Sequence, residues 1–156
     1  MNCNYSKISK RVMASFIDFL ILAVIFFIEL AICHKFFDFK KLFNYQVSML
    51  IPKVMALITE IVYFSYCESS KKQATIGKKA MGIIVTDLNG ERLTVFKAVS
   101  RVVIKNIGSI IWIFSNISNL SIIGLFECLV ALFTTKKQAV HDLIVGSFVI
   151  DKEITN

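Results

Sequence analysis

The sequence is poor in proline, with one among 156 residues, and poor in charge, at 19% against about 25% for soluble domains. Its four cysteines, Cys3, Cys33, Cys67 and Cys128, are scattered and form no CxxC pair, which excludes a disulfide scaffold. The phosphate-loop pattern GxxxxGK[ST] is missing, so Gly77-Lys78 is no nucleotide cradle. HExxH and GxSxG are missing too, which speaks against an intramembrane enzyme. Apolar residues, by contrast, are abundant: 56% of the chain, against about 45–50% in soluble domains, with 14 Phe. A soluble protein this small has too little interior to bury that much apolar surface, and the same count excludes disorder. The remaining solvent is hydrocarbon.

Eighteen Lys+Arg against 11 Asp+Glu give a net charge of +7. The basic residues sit between apolar blocks and nothing resembles a groove-entering helix, so the expected partners are the bilayer and its anionic headgroups rather than nucleic acid. No cofactor or metal is called for.

Four spans are expected in a single domain. The first, about 12–33, has the ~20 residues needed to cross ~30 Å of hydrocarbon, and Asp18 and Glu29 within it argue for an uncleaved helix over a signal peptide. The second, about 47–67, carries Pro52 near its start. The block from Ala98 to Phe133 is too long for one crossing. The polar run Ser115–Asn119 divides it into helices at about 98–115 and 119–134, which could also be a re-entrant hairpin. Between spans two and three, residues 68–97 form the sizeable polar stretch, and residues 135–156 form a tail. In that stretch Ile83–Asp87 and Glu91–Val95 flank Leu88-Asn89-Gly90, the pattern of a short β-hairpin. Lys71, Lys72, Lys78 and Lys79 are placed to meet lipid headgroups. The fold class is therefore an all-α transmembrane bundle with a cytoplasmic hairpin. Lys+Arg number three in the N-terminal segment, seven over 68–101 and three in the tail, against three in the 34–46 loop. By the positive-inside rule both termini are cytoplasmic, in the cell (inner) membrane.

Ionisable groups inside spans cost several kcal/mol unless paired or hydrated. At about 1.5 Å per residue, Asp18 lies ~9 Å from the cytoplasmic end of its helix, and Glu60, Lys105 and Glu127 each ~10 Å from theirs. Together with Arg101, four residues before Lys105 on the same helical face, they outline a proton-coupled cation site. The same charges could instead fix helix packing. Glu29 and Lys53 are expected to form an interhelical ion pair, and Arg11 to meet lipid phosphate or Asp142.

Three segments resemble the RDD family of small polytopic membrane proteins. Arg11-Val12-Met13-Ala14-Ser15-Phe16-Ile17-Asp18 is similar to its R-x-x-A-x-x-[IL]-D opening. Thr75-Ile76-Gly77-Lys78-Lys79-Ala80-Met81-Gly82, followed by Val85, Asp87, Gly90 and Arg101, is similar to its T-x-G-K-x-x-x-G block. Gln138-Ala139-Val140-His141-Asp142-Leu143-Ile144-Val145-Gly146-Ser147 resembles its closing segment, with Ser147 where Thr is usual. The resemblance makes Arg11, Asp18 and Asp142 the name-giving residues. It implies transport-related work, linked in places to sodium/proton antiport, or an accessory role, since the family also occurs fused to other domains. Two functions follow. One is a proton-coupled monovalent-cation transporter or transporter subunit, working as a homo-oligomer or with another membrane protein. In it Asp18 and Glu60 are ligands, Lys105 and Arg101 tune their charge, and Asp142 acts at the gate. The other is a non-catalytic accessory protein that docks a partner or anionic lipid.

Overall fold

The computed structural model describes residues 5–36, 45–110, 130, 134 and 137–152. Two long helices dominate them: α1 (Ile8–Phe36) and α2 (Tyr45–Ser69), with Pro52 inside α2. Their apolar stretches, Ile8–Lys35 and Leu50–Ser69, are each long and apolar enough to cross a membrane. Only 11% of the most apolar 18 residues of each is buried, unlike the mostly buried core helix of a soluble fold. The burial of α1 is inverted: Asp18 is 1% exposed, whereas Phe19 and Phe27 are 63% and 67% exposed. That pattern suits a helix whose surroundings are apolar.

After α2 come the short α3 (Ile76–Ala80), strand β1 (Ile83–Asp87), α4 (Val95–Lys105), α5 (Val140–Val145) and strand β2 (Ser147–Asp151). β1 and β2 pair antiparallel, with Ile83 opposite Asp151 and Asp87 opposite Ser147. Tyr5 bridges Ile150 on the other edge of β2, and Ser6 N donates to Val149 O at 3.1 Å. Ala14, Ile83, Val85, Leu93 and Val149 close the small core between this sheet and α1.

The expected hairpin does not form. Its turn does: Gly90 adopts φ +82°, Gly90 N donates to Asp87 O at 3.1 Å, and Asp87 Oδ1 accepts from Asn89 N and Glu91 N. The returning arm makes one further bond, Asp87 N to Glu91 O, and then leaves the sheet. Thr94 is the reason. Its hydroxyl accepts from Lys97 N and caps α4, so Val95 becomes the first helical residue rather than the last of a strand. The edge of β1 is taken by β2, a strand absent from the sequence expectation, which treated this stretch as tail.

α4 thus begins three residues before the anticipated third span, and its first helical run stops at Lys105, with buried Asn106 as C-cap. Residues 107–110 are helical again. The expected turn at 115–119, nearly all of the fourth span and Glu127 lie outside the described residues.

Candidate functional site: a buried ionic lock and a cleft beside it

Two polar assemblies meet where α1, α2, α3, α4 and α5 converge. The first is built around Asp18. Thr75, the N-cap of α3, donates its hydroxyl to Asp18 Oδ2 at 2.6 Å and accepts from Lys78 N. Gly77 N and Tyr63 Oη donate to Asp18 Oδ1, each at 2.8 Å. A Cβ on Gly77 would lie 2.1 Å from the Ala14 carbonyl oxygen, so only glycine lets α3 approach α1 this closely. The Thr-x-Gly pair is therefore a docking device, and Asp18 is the anchor that it grips.

The second assembly is a chain of alternating charges. Arg11 Nη2 meets Asp142 Oδ2 at 3.1 Å, and Arg11 Nη1 donates to the Lys137 carbonyl. Arg101 Nε and Nη2 donate to Asp142 Oδ1 at 2.8 and 2.7 Å, while its Nη1 pairs with Glu68 Oε2. Lys78 Nζ pairs with the other oxygen of Glu68. Arg101, Asp142 and Glu68 are all buried. Arg101 suits the central place because one planar fork can reach two carboxylates at once.

The closing segment is shaped to present Asp142. Gln138 Nε2 donates to Ser147 O, Ser147 Oγ donates to Asp142 Oδ1, and Ala139 N donates to Asp142 Oδ2. Gly146 turns the chain from α5 into β2 with φ +68°. Burial alone would raise the Asp142 carboxyl, but Arg101, His141 and Arg11 beside it hold it well below the usual carboxylate range. Burial pushes the Lys78 ammonium down to about 8, against the upward pull of Glu68.

The expected layer of Asp18, Glu60, Lys105 and Glu127 is thus divided. Asp18 is committed to α3 and Tyr63, and all three of its hydrogen bonds go to them. Lys105 does reach Glu60, at 3.5 Å, with both side chains partly exposed. The Arg11–Asp142 contact expected from the sequence is present, and Arg101 sits in the lock rather than beside Lys105 as a tuning charge. Glu29 accepts from Thr59 Oγ1 at 2.5 Å. Lys78, expected at the headgroups, is turned inward because Glu68 waits for it; Lys71, Lys72 and Lys79 are exposed. Glu68 is the residue that the sequence reasoning missed. Its signal was there: Glu60, Phe64 and Glu68 recur at i, i+4 and i+8, which puts all three on one face of α2.

That face borders a cleft of about 470 Å³ between α1 and α2, with Lys105 of α4 at its edge. Phe19, Phe26, Phe27 and Phe64 supply much of its wall, and Glu29, Thr59, Glu60 and Lys105 its polar corner. Lys105 Nζ stands 4.1 Å from the centroid of the Phe64 ring, and Lys78 Nζ 6.0 Å from it. Phe64 therefore separates the lock from the cleft. Among the described residues no cluster of His, Cys, Asp and Glu could hold a metal ion.

Apolar helices with inverted burial, stapled by an Arg–Asp lock to a small polar module, define a membrane-type protein. The RDD family matches residues 5–146, nearly the whole chain, and this protein belongs to it. It is also similar to the uncharacterized protein YxaI of Bacillus subtilis (strain 168), 29% identical over 104 residues, 58% of this chain and 69% of that one. No solved structure matches.

Proposed function

We propose that this RDD protein is a multi-pass protein of the cell (inner) membrane, with both termini cytoplasmic, that moves a monovalent cation in exchange for protons, alone or as a subunit of a larger assembly. The observation that carries this reading is the polar corner of the cleft. There Glu60 pairs with the ammonium of Lys105 at 3.5 Å, and a second carboxylate, Glu29, lines the same apolar-walled cleft. Asp18 is not a ligand in this scheme, because its oxygens already accept three hydrogen bonds. Asp142 and Arg101 hold the cytoplasmic end shut, and Lys71, Lys72 and Lys79 meet anionic headgroups.

The test is sodium flux driven by a pH gradient in proteoliposomes. Glu60→Gln should abolish the flux while leaving the protein folded, since its ion pair is partly exposed and adds little stability. Flux unchanged in Glu60→Gln would defeat the transporter reading. A second reading, a non-catalytic accessory protein, is favoured by one observation: Arg11, Asp18, Glu68, Lys78, Arg101 and Asp142 all find partners inside the fold. Absence of any flux in the wild type, with a partner retained through the exposed lysines, would support it.

A further inference from the structure

A bare alkali ion leaves most of the cleft unexplained. Its 470 Å³ is the size of a small-molecule pocket, whereas one water occupies only about 30 Å³ of liquid. We propose that the cleft takes an amphiphilic organic cation, with an apolar or aromatic body against the phenylalanines and its positive centre at Glu29 and Glu60. The proposal rests on the reading of the cleft as the working site, and deepens it by naming the class of cation.

Charge selects the sign of the ligand. Glu29 Oε2 is buried and has no hydrogen-bond partner among the described residues, while its other oxygen is held by Thr59. A carboxylate oxygen left so is costly until a positive group reaches it. Glu60 is only loosely matched, at 3.5 Å from Lys105. Among the described residues that line the cleft, two carboxylates stand against one ammonium.

The walls select the body of the ligand. Aromatic faces attract cations as well as apolar surface, and Phe64 already does so with Lys105 at 4.1 Å. Phe19, Phe26 and Phe27 lie along α1 on the same cleft. A neutral acyl chain would fill the space but leave the Glu29 oxygen unmet, and an anion would be repelled by it.

The probe is radiolabelled tetraphenylphosphonium, bound to the full-length protein in phosphatidylcholine nanodiscs. Saturable binding is expected, weakened roughly tenfold or more by Glu29→Gln, which is isosteric. Ala23→Phe, which narrows the cleft and leaves both carboxylates, should weaken it equally; should one variant fail to fold, the other decides. The uncharged triphenylphosphine oxide should not compete. No saturable binding, binding indifferent to both variants, or equal competition by the neutral analogue (a cleft that takes lipid or any apolar body) would each overturn the proposal. Sodium flux measured on the same preparation separates the two ideas. Flux without phosphonium binding keeps the transport reading and removes this proposal; binding without sodium flux does the reverse.

Discussion

Replacing Arg101 by Met should be among the most damaging single changes in this chain. The guanidinium is 5% exposed and serves two buried carboxylates, Asp142 through Nε and Nη2 and Glu68 through Nη1. Methionine fills similar apolar volume, so packing loss is small and the cost comes from the orphaned charges. Removing one partner of a buried ion pair typically costs about 3–5 kcal/mol. Glu68 keeps Lys78 and Asp142 keeps Arg11, so the figure for one pair is the appropriate one. For a chain of this size each kcal/mol lowers Tm by about 2–4 °C, which translates to a drop of about 6–20 °C. Thermal unfolding of the purified protein in detergent, followed by near-ultraviolet circular dichroism, would read it. Arg101→Lys should fall between the two, since one ammonium keeps the charge but cannot span both carboxylates as a planar fork does. A shift under about 2 °C in Arg101→Met, corresponding to less than about 1 kcal/mol, would refute the lock as a source of stability.

Three further outcomes are expected. Gly77→Ala places a methyl 2.1 Å from the Ala14 carbonyl oxygen, so α3 must lift from α1; overpacking of this kind costs about 1–3 kcal/mol or more, and a proteolysis assay should find residues 70–80 newly cleavable. The Lys78 ammonium is charged in the folded protein only below about pH 8, whereas the unfolded chain holds that proton to about 10.4. The folded state therefore binds fewer protons between those values, and stability should rise with pH across that window, by roughly 3 kcal/mol at most. Lys78→Met should lack this rise in denaturant titrations. The Asp142 carboxyl has the opposite sense: its contribution is present above the ordinary carboxylate range near pH 4 and is lost as pH falls below it, so Asp142→Asn should flatten the acid limb of the same titration.

Much of this site was legible in the residues because its parts are local. Thr75 and Gly77 sit two apart, Gln138, Asp142 and Gly146 four apart, and such spacings read as caps and turns wherever they land. Arg11 could be matched to Asp142 because a mouth-facing arginine needs an acid and few were on offer. The hidden parts are those set by distant partners. Lys78 looked like a surface lysine because nothing near it in sequence reveals Glu68 of α2. The run at 91–95 carried strand propensity, yet one capping threonine and a competing strand some 60 residues away decided its conformation. Depth arithmetic also treated each helix separately. It put Asp18 level with Glu60, but Tyr63 and α3 claim the carboxylate first.

The pairing of β2 with both β1 and Tyr5 has a consequence for how the chain matures. Residues 147–151 emerge from the ribosome after both apolar helices and β1. Until they do, Val85 and Ile83 have no strand to lie beside, and Arg101 lacks Asp142. Closure of the lock therefore waits for the closing segment, so translation arrested before Asp142 would leave the two long helices with an unlatched end, a ready signal for a quality-control protease.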